Sequence, residues 1–119
     1  MQRFYEFPAV FIPEDKGYTV EFPNFFPYCC AVTCGRTEEE AIWMAQDLLG
    51  ILCEQMEEEG WRIEPDLSVV NSNLPVKNVT VDMKFYRFIL RKVKQGRYRR
   101  RMTWKAWDMK YKRQLWAKN

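Results

Sequence analysis

The stretch that decides the fold reads TEEEAIWMAQDLLGILCEQMEEEG, residues 37–60. Thr37 and Glu40 form the pattern of a capping box, in which the threonine hydroxyl accepts from the backbone N–H three residues on. Three carboxylates in the first turn suit the positive end of the helix dipole, and Gly60 is a typical residue at a helix end. Apolar side chains share one stripe: Ala41, Ala45, Leu48, Leu52 and Met56. The pattern therefore predicts one long amphipathic helix that ends near residue 59.

Short segments of strand character lie on both sides of this helix. Residues 4–12 form the first predicted strand, and residues 18–22 alternate apolar and polar side chains, which predicts a second strand. Between them, the segment PEDKG places a proline and a glycine around charged residues and predicts a turn, so the two strands form a hairpin. Pro23 ends the second strand because proline donates no ladder hydrogen bond. Two further strands are predicted at residues 30–34 and 76–83.

The order of these elements, β-β-β-α-β, predicts the fold class. It is typical of an α+β domain in which an antiparallel-dominated sheet carries one long helix on one face. We expect this domain to span residues 1–83. Residues 84–119 are then a basic C-terminal extension, and the helical spacing of Phe85, Ile89 and Val93 predicts that it is helical.

Charge divides the chain into two unlike parts. Residues 1–80 contain 5 lysines and arginines against 14 aspartates and glutamates, a net charge of −9. Residues 81–119 contain 14 against 2, a net charge of +12, so the whole chain carries only +3. Such an asymmetry indicates two parts with different partners.

Composition excludes several classes of site. The chain contains no histidine, so it cannot assemble a catalytic triad or a histidine-based ribonuclease mechanism. Its four cysteines, at positions 29, 30, 34 and 53, include no CxxC pair, so we expect reduced thiols, no metal and no cofactor. No apolar run reaches the roughly 18 residues of a membrane span. The first 13 residues lack the pattern of a secretory signal, so a cytoplasmic location is expected.

Four stretches of the chain occur in an order that resembles a known family. They read FPAVFIPED at residues 7–15, GYTVEFP at 17–23, GRTEEEA at 35–41 and VTVDM at 79–83. Together they are similar to the opening hairpin, the helix entry and the closing strand of HicB-type antitoxins. The resemblance covers about residues 4–87.

Two departures from the family pattern concern the loop after the second strand and the C-terminal part. Tyr28 stands where the family usually has a glycine, so that loop is expected to differ in backbone shape. Longer members carry a ribbon-helix-helix or helix-turn-helix DNA-binding module at the C-terminus. Residues 100–107 resemble only the beginning of a ribbon-helix-helix, and we expect no complete module of that kind before Asn119.

The resemblance implies a partial ribonuclease-H-like fold without that enzyme's metal site. It also implies a partner, a HicA-like toxin, which is a small ribonuclease that cleaves mRNA with a catalytic histidine. A toxin that holds RNA must be basic, so acidic side chains and aromatic anchors are the candidate contacts. The toxin-binding candidates are Glu14, Asp15, Glu21, Phe22, Phe25 and Phe26. The alternative for each is a structural role, a solvated acid or, for Phe22, a core side chain.

The basic extension has two interpretations. Its cations alternate with tyrosine and tryptophan, which suits phosphate contact with base stacking on operator DNA. The nucleic-acid-binding candidates are Arg97, Arg99, Arg100, Arg101 and Lys105. Alternatively, the aromatic stripe of the extension packs on the N-terminal domain or on a second copy of the chain.

Three classes of function follow from these features. The first is an antitoxin that neutralises its toxin, represses its own operon and forms a homodimer or homotetramer. The second is a nucleic-acid-binding transcriptional regulator whose N-terminal domain is a dimerisation module. The third is a metal-dependent nuclease, but the acids at residues 38–40 and 57–59 radiate around a helix, and Glu21 and Asp82 have no evident third partner. We therefore expect no enzyme.

Overall fold

In the computed structural model, the described residues are 2–70 and 73–96. They form the following elements: β1 (Phe4–Glu14), β2 (Gly17–Glu21), β3 (Val32–Gly35), α1 (Glu38–Glu59), β4 (Val76–Asp82) and α2 (Met83–Lys94). Short 3-10 turns lie at Pro23–Phe25 and Leu67–Val69. The predicted element order is confirmed, and the helix predicted around Phe85, Ile89 and Val93 is α2.

The strands form one four-stranded sheet in the order β3-β2-β1-β4, and every neighbouring pair is antiparallel. Helix α1 packs against β2, β3 and β4 on one face of the sheet. The expected α+β class, an antiparallel sheet with a long helix on one face, is therefore confirmed. No helix in residues 2–70 or 73–96 combines the length and the apolar character needed to cross a membrane.

Strand β1 is longer than predicted, because it includes Pro13 and Glu14, the first two residues of the segment that was expected to be a turn. Its first part pairs with β4 from Phe4 to Val10, and its last part pairs with β2 from Val10 to Glu14. Pro13 is tolerated there because its nitrogen points in the same direction as that of Phe11, toward the β4 side, where the ladder has already ended. The turn itself consists only of residues 15 and 16.

The hydrophobic core lies between α1 and the facing side of the sheet. The strands contribute Phe7, Ala9, Phe11, Val20, Val79 and Val81, and α1 contributes Ala41, Ala45, Leu49, Leu52, Cys53 and Met56. A Cβ atom at Gly35 would lie 2.4 Å from the backbone nitrogen of Ala41. A side chain at the end of β3 would therefore push the first turn of α1 away from the sheet.

Both ends of α1 follow the predicted pattern. The Thr37 hydroxyl accepts from the Glu40 backbone N–H at 3.1 Å. Gly60 takes the left-handed conformation with φ 74°, which a residue without a Cβ adopts at little cost. These local signals fix where the helix begins and ends, and hence which of its side chains reach the sheet.

Helix α2 shares the core of the N-terminal domain. Met83 and Ile89 are fully buried, and the Tyr86 side chain is 3 % exposed. The Tyr86 ring lies on Gly50 of α1. The Asp82 carboxylate accepts from the backbone N–H groups of Lys84 and Phe85 and so caps the start of α2.

Candidate interaction surface

The β1–β2 hairpin holds its turn through a glycine. Gly17 has φ 144°, and a Cβ atom there would lie 2.2 Å from the carbonyl oxygen of Gly35. A side chain is excluded by both the backbone conformation and this close approach of β3. The hairpin tip is therefore fixed against β3, and the acids beside it project from a rigid support.

Side chains that alternate away from α1 lie on the outer face of the sheet. The register places Thr19 beside Cys34, and Glu21 beside Val32. Glu14 follows on the same face, next to the turn residue Asp15. We call the set Glu14, Asp15, Thr19, Glu21, Val32 and Cys34 the hairpin surface. It lies at the β3 side of the sheet, where β3 has no further strand beside it among the described residues.

The hairpin surface is acidic, and the nearest cation is Lys16 of the turn. Glu14 and Asp15 are exposed, and Glu21 is half-buried. Glu14 accepts a hydrogen bond from the Thr19 hydroxyl at 3.0 Å, but no ion pair within residues 2–70 and 73–96 includes Glu14, Asp15 or Glu21. Val32, 42 % exposed, places an apolar side chain beside Glu21. The surface therefore combines negative potential with an apolar contact on an edge strand, which suits a basic protein partner.

The prediction that Phe22 and Phe25 are contact residues is wrong for this structure. Both side chains are 0 % exposed. The Phe25 ring packs 4.8 Å from Phe7 and 6.5 Å from Phe22, measured between ring centroids. These two residues close one end of the core, because the 3-10 turn at Pro23–Phe25 folds them inward. Phe26, 44 % exposed, is the only one of the three predicted phenylalanines available to a partner.

The candidate nucleic-acid contacts Arg97, Arg99, Arg100, Arg101 and Lys105 lie outside the described residues. The described part of the basic extension is α2 and the turn after it. Helix α2 contains five cationic residues: Lys84, Arg87, Arg91, Lys92 and Lys94. Their arrangement was not predicted from the sequence, although the helical spacing of 84, 87, 91 and 94 is a signal that could have revealed it.

Two polar contacts hold the start of β1 to β4 and to α1, and neither was predicted. Arg3 forms a two-pronged ion pair with Asp82 at 3.1 and 3.2 Å. The Tyr5 hydroxyl donates to Glu57 of α1. Burial, followed by this bond to the Glu57 carboxylate, raises the pKa of Tyr5 to about 12. Glu57 is thus a partly buried acceptor at the end of α1.

The cysteines do not form a site of their own. All four are free thiols. Burial raises the pKa of the Cys53 thiol and, less strongly, that of Cys29, so both resist conversion to the reactive thiolate. Within residues 2–70 and 73–96, no three cysteine, aspartate or glutamate side chains are grouped to hold a metal ion.

Comparison with known proteins gives one likeness. No protein-family model matches the chain, and no curated protein matches it. Among solved structures, the chain is similar to a chain of a toxin–antitoxin complex from Streptococcus pneumoniae, with a TM-score of 0.58 and 24 % sequence identity. The likeness covers 70 % of this chain and 72 % of that one. It shows that the two chains share a fold.

Proposed function

We propose that this chain is an antitoxin of the HicB type, which binds a HicA-like ribonuclease toxin and blocks its RNA-binding surface. The observation that carries the proposal is the fold shared with a chain of a toxin–antitoxin complex. It agrees with the four stretches of sequence between residues 7 and 83, which occur in an order that resembles HicB-type antitoxins. The first line of support is backbone geometry, and the second is the order of residue identities.

The hairpin surface supplies the contacts in this proposal. A ribonuclease must present cations to RNA phosphates, and Glu14, Asp15 and Glu21 offer carboxylates to the same cations. Complementary charge raises the rate of encounter and favours the correct partner. Val32 and the exposed ring of Phe26 offer apolar area, although Phe26 belongs to the loop after β2 rather than to the hairpin. Inhibition in this account needs no catalytic group, since occupation of the RNA-binding surface suffices.

The basic part of the chain completes the proposal. Residues 81–119 carry a net charge of +12, which suits binding to the operator of the chain's own operon and hence autoregulation. A dimer or tetramer would present several such parts to a palindromic site. The second candidate function, a transcriptional regulator without a toxin partner, rests on this same concentration of positive charge.

Co-expression tests the proposal directly. The probe is the product of a short neighbouring reading frame that encodes a small basic protein with a single histidine. We expect this protein to stop growth when expressed alone, and growth to be restored when the present chain is expressed with it. If the neighbour is not toxic, or if its toxicity persists beside abundant folded chain, the antitoxin proposal fails and the regulator remains.

A charge-reversal pair tests the assigned surface in the same assay. The variant E14K/D15K/E21K reverses three acids of the hairpin surface. The control E58K/E59K/E64K makes the same change in net charge at exposed positions near the end of α1. We expect the first to lose neutralisation and the control to keep it. Loss of neutralisation by both variants would show that net charge, rather than the hairpin surface, governs binding, and neutralisation kept by the first variant would contradict the assigned surface.

A further inference from the structure

Helix α2 borders a cleft of about 560 Å³ with an unusual concentration of cations. We call it the basic cleft and define it by its five cations, Arg3, Lys84, Arg87, Arg91 and Lys94. Met83 and Leu90 supply apolar lining. The cleft lies between α2 and the residues that precede β1, and it includes none of the residues of the hairpin surface.

Four of the five cations stand in a row along α2. Residues 84, 87, 91 and 94 recur at helical spacing and therefore share one side of the helix. At about 1.5 Å of rise per residue, the row is roughly 15 Å long. One strand of a nucleic-acid duplex places a phosphate about every 3.4 Å along the axis, so the row matches roughly four phosphates.

The ordinary structural role of cations on a helix explains only part of this row. Arg91 and Lys94 lie in the last turn, where the negative end of the helix dipole favours positive charge. Lys84 lies in the first turn, where the same dipole disfavours it, and Arg3 comes from a different part of the chain. The dipole therefore does not account for the convergence of these side chains on one cleft.

The acids near the basic cleft are too few to neutralise it. Asp82 pairs with Arg3 at 3.1 Å, and Glu57 lies 3.9 Å from Arg87. Lys84, Arg91 and Lys94 form no ion pair with any acid in the described parts of the chain. A net positive charge of about three remains at a concave surface, where field lines concentrate and attract anions.

An aromatic pair lies on the neighbouring side of α2. The rings of Phe85 and Phe88 stack with their centroids 5.7 Å apart, and Phe88 is 36 % exposed. The Lys92 ammonium lies 5.5 Å from the centre of the Phe88 ring. Surfaces that bind nucleic acids combine cations, which contact phosphates, with exposed aromatic rings, on which bases stack.

We propose that the basic cleft binds the phosphodiester backbone of a nucleic acid. The sequence that follows α2 supports a nucleic acid as the ligand, because residues 97–101 include four arginines. The proposal extends the operator-binding role suggested for the C-terminal part and rests on it, but it assigns contacts to α2. It does not depend on toxin neutralisation.

The test measures the salt dependence of nucleic-acid binding by the full chain. The variant K84A/R91A/K94A removes three cations of the cleft, and the control K16A/R36A/R62A removes three exposed cations of the N-terminal domain. Binding to a labelled DNA duplex and to a single-stranded RNA is followed by fluorescence anisotropy over a series of salt concentrations. Each phosphate contact contributes about 0.9 to the slope of log K against log salt on duplex DNA, and about 0.7 on single strands.

We expect the cleft variant to lower that slope by roughly 2.7 on duplex DNA or roughly 2.1 on single strands, whereas the control keeps the wild-type slope. Between 50 and 200 mM salt, the duplex affinity of the wild type would then fall about 40-fold more than that of the variant. The ligand that shows the larger change identifies the preferred form of nucleic acid.

Three results would overturn the proposal. The first is a salt slope that the cleft variant leaves unchanged, and the second is an equal change of slope in the control. The third is that the cleft variant alters self-association in sedimentation while nucleic-acid binding is absent. The last would show that the cleft receives the acidic surface of a second copy. Circular dichroism confirms that both variants fold, and toxin neutralisation by the cleft variant separates this proposal from the antitoxin proposal.

Discussion

Replacing Gly50 by alanine tests how α2 is held against α1. A Cβ atom at this position would lie 2.3 Å from Cδ1 and 2.6 Å from Cγ of the Tyr86 ring. The ring is buried and 3 % exposed, so it cannot move aside into solvent. In a helix, alanine is favoured over glycine by about 1 kcal/mol, whereas overpacking of a well-packed core costs about 1–3 kcal/mol.

These distances place the overpacking cost in the upper part of its range, so Gly50→Ala should lower the free energy of unfolding by about 1–2 kcal/mol. Urea denaturation measures the change as a lower midpoint with an unchanged m-value. In a Tyr86→Ala background the clash is absent, and the same substitution should stabilise the chain by about 1 kcal/mol. If Gly50→Ala raises the midpoint in the presence of Tyr86, the packing argument is refuted.

Three further predictions concern the cap, the buried tyrosine and the thiols. Thr37→Ala should cost about 1 kcal/mol of unfolding free energy in urea denaturation, because an N–H in the first turn of α1 loses its acceptor. The pKa of Tyr5 is raised from 10 to about 12, so its contribution to stability is complete below pH 10 and is lost as pH rises toward 12; unfolding curves of Tyr5→Phe, which cannot donate to Glu57, should lack this loss. A thiol reagent should modify the exposed Cys30 in the folded chain but reach the buried Cys53, whose pKa is raised by burial, only after denaturation, as peptide mass analysis would show.

Local sequence signals predicted the parts of the fold whose causes are local. The bounds of α1 follow from Thr37 and Gly60, since a side-chain cap and a left-handed glycine act within one turn. The hairpin and β4 follow from alternation and from turn residues. The error at Pro13 arose because proline was treated as a break, although it is acceptable where a strand has no partner on the side of its nitrogen.

The sequence could not show which side chains of the irregular loop after β2 are buried. Residues 23–28 have no helical or strand period, so nothing in their order separates the buried Phe25 from the exposed Phe26. The basic cleft was missed for a different reason. It requires Arg3 to meet α2, and that contact depends on β1 and β4 being neighbours in the sheet.

In the hairpin surface Glu14 and Asp15 are exposed and Glu21 is half-buried, and the role of these three acids in toxin binding stays a prediction. Glu14 and Asp15 lie at the turn, whereas Glu21 lies at the other end of β2, because the register pairs Glu14 with Gly17 and Glu21 with Val10. The sequence shows the turn and its Lys16, while only the fold shows that none of the three acids forms an ion pair within residues 2–70 and 73–96.

The dissociation constant between the purified full chain and the basic product of the neighbouring reading frame tests the central claim most directly. We expect tight binding by the wild type. The dissociation constant of E14K/D15K/E21K should be at least 100-fold higher, a loss of about 2.7 kcal/mol of binding free energy. That of E58K/E59K/E64K should be close to the wild-type value. Binding that the hairpin reversal leaves unchanged would contradict the assigned surface. No binding by the wild-type chain would contradict the antitoxin function itself.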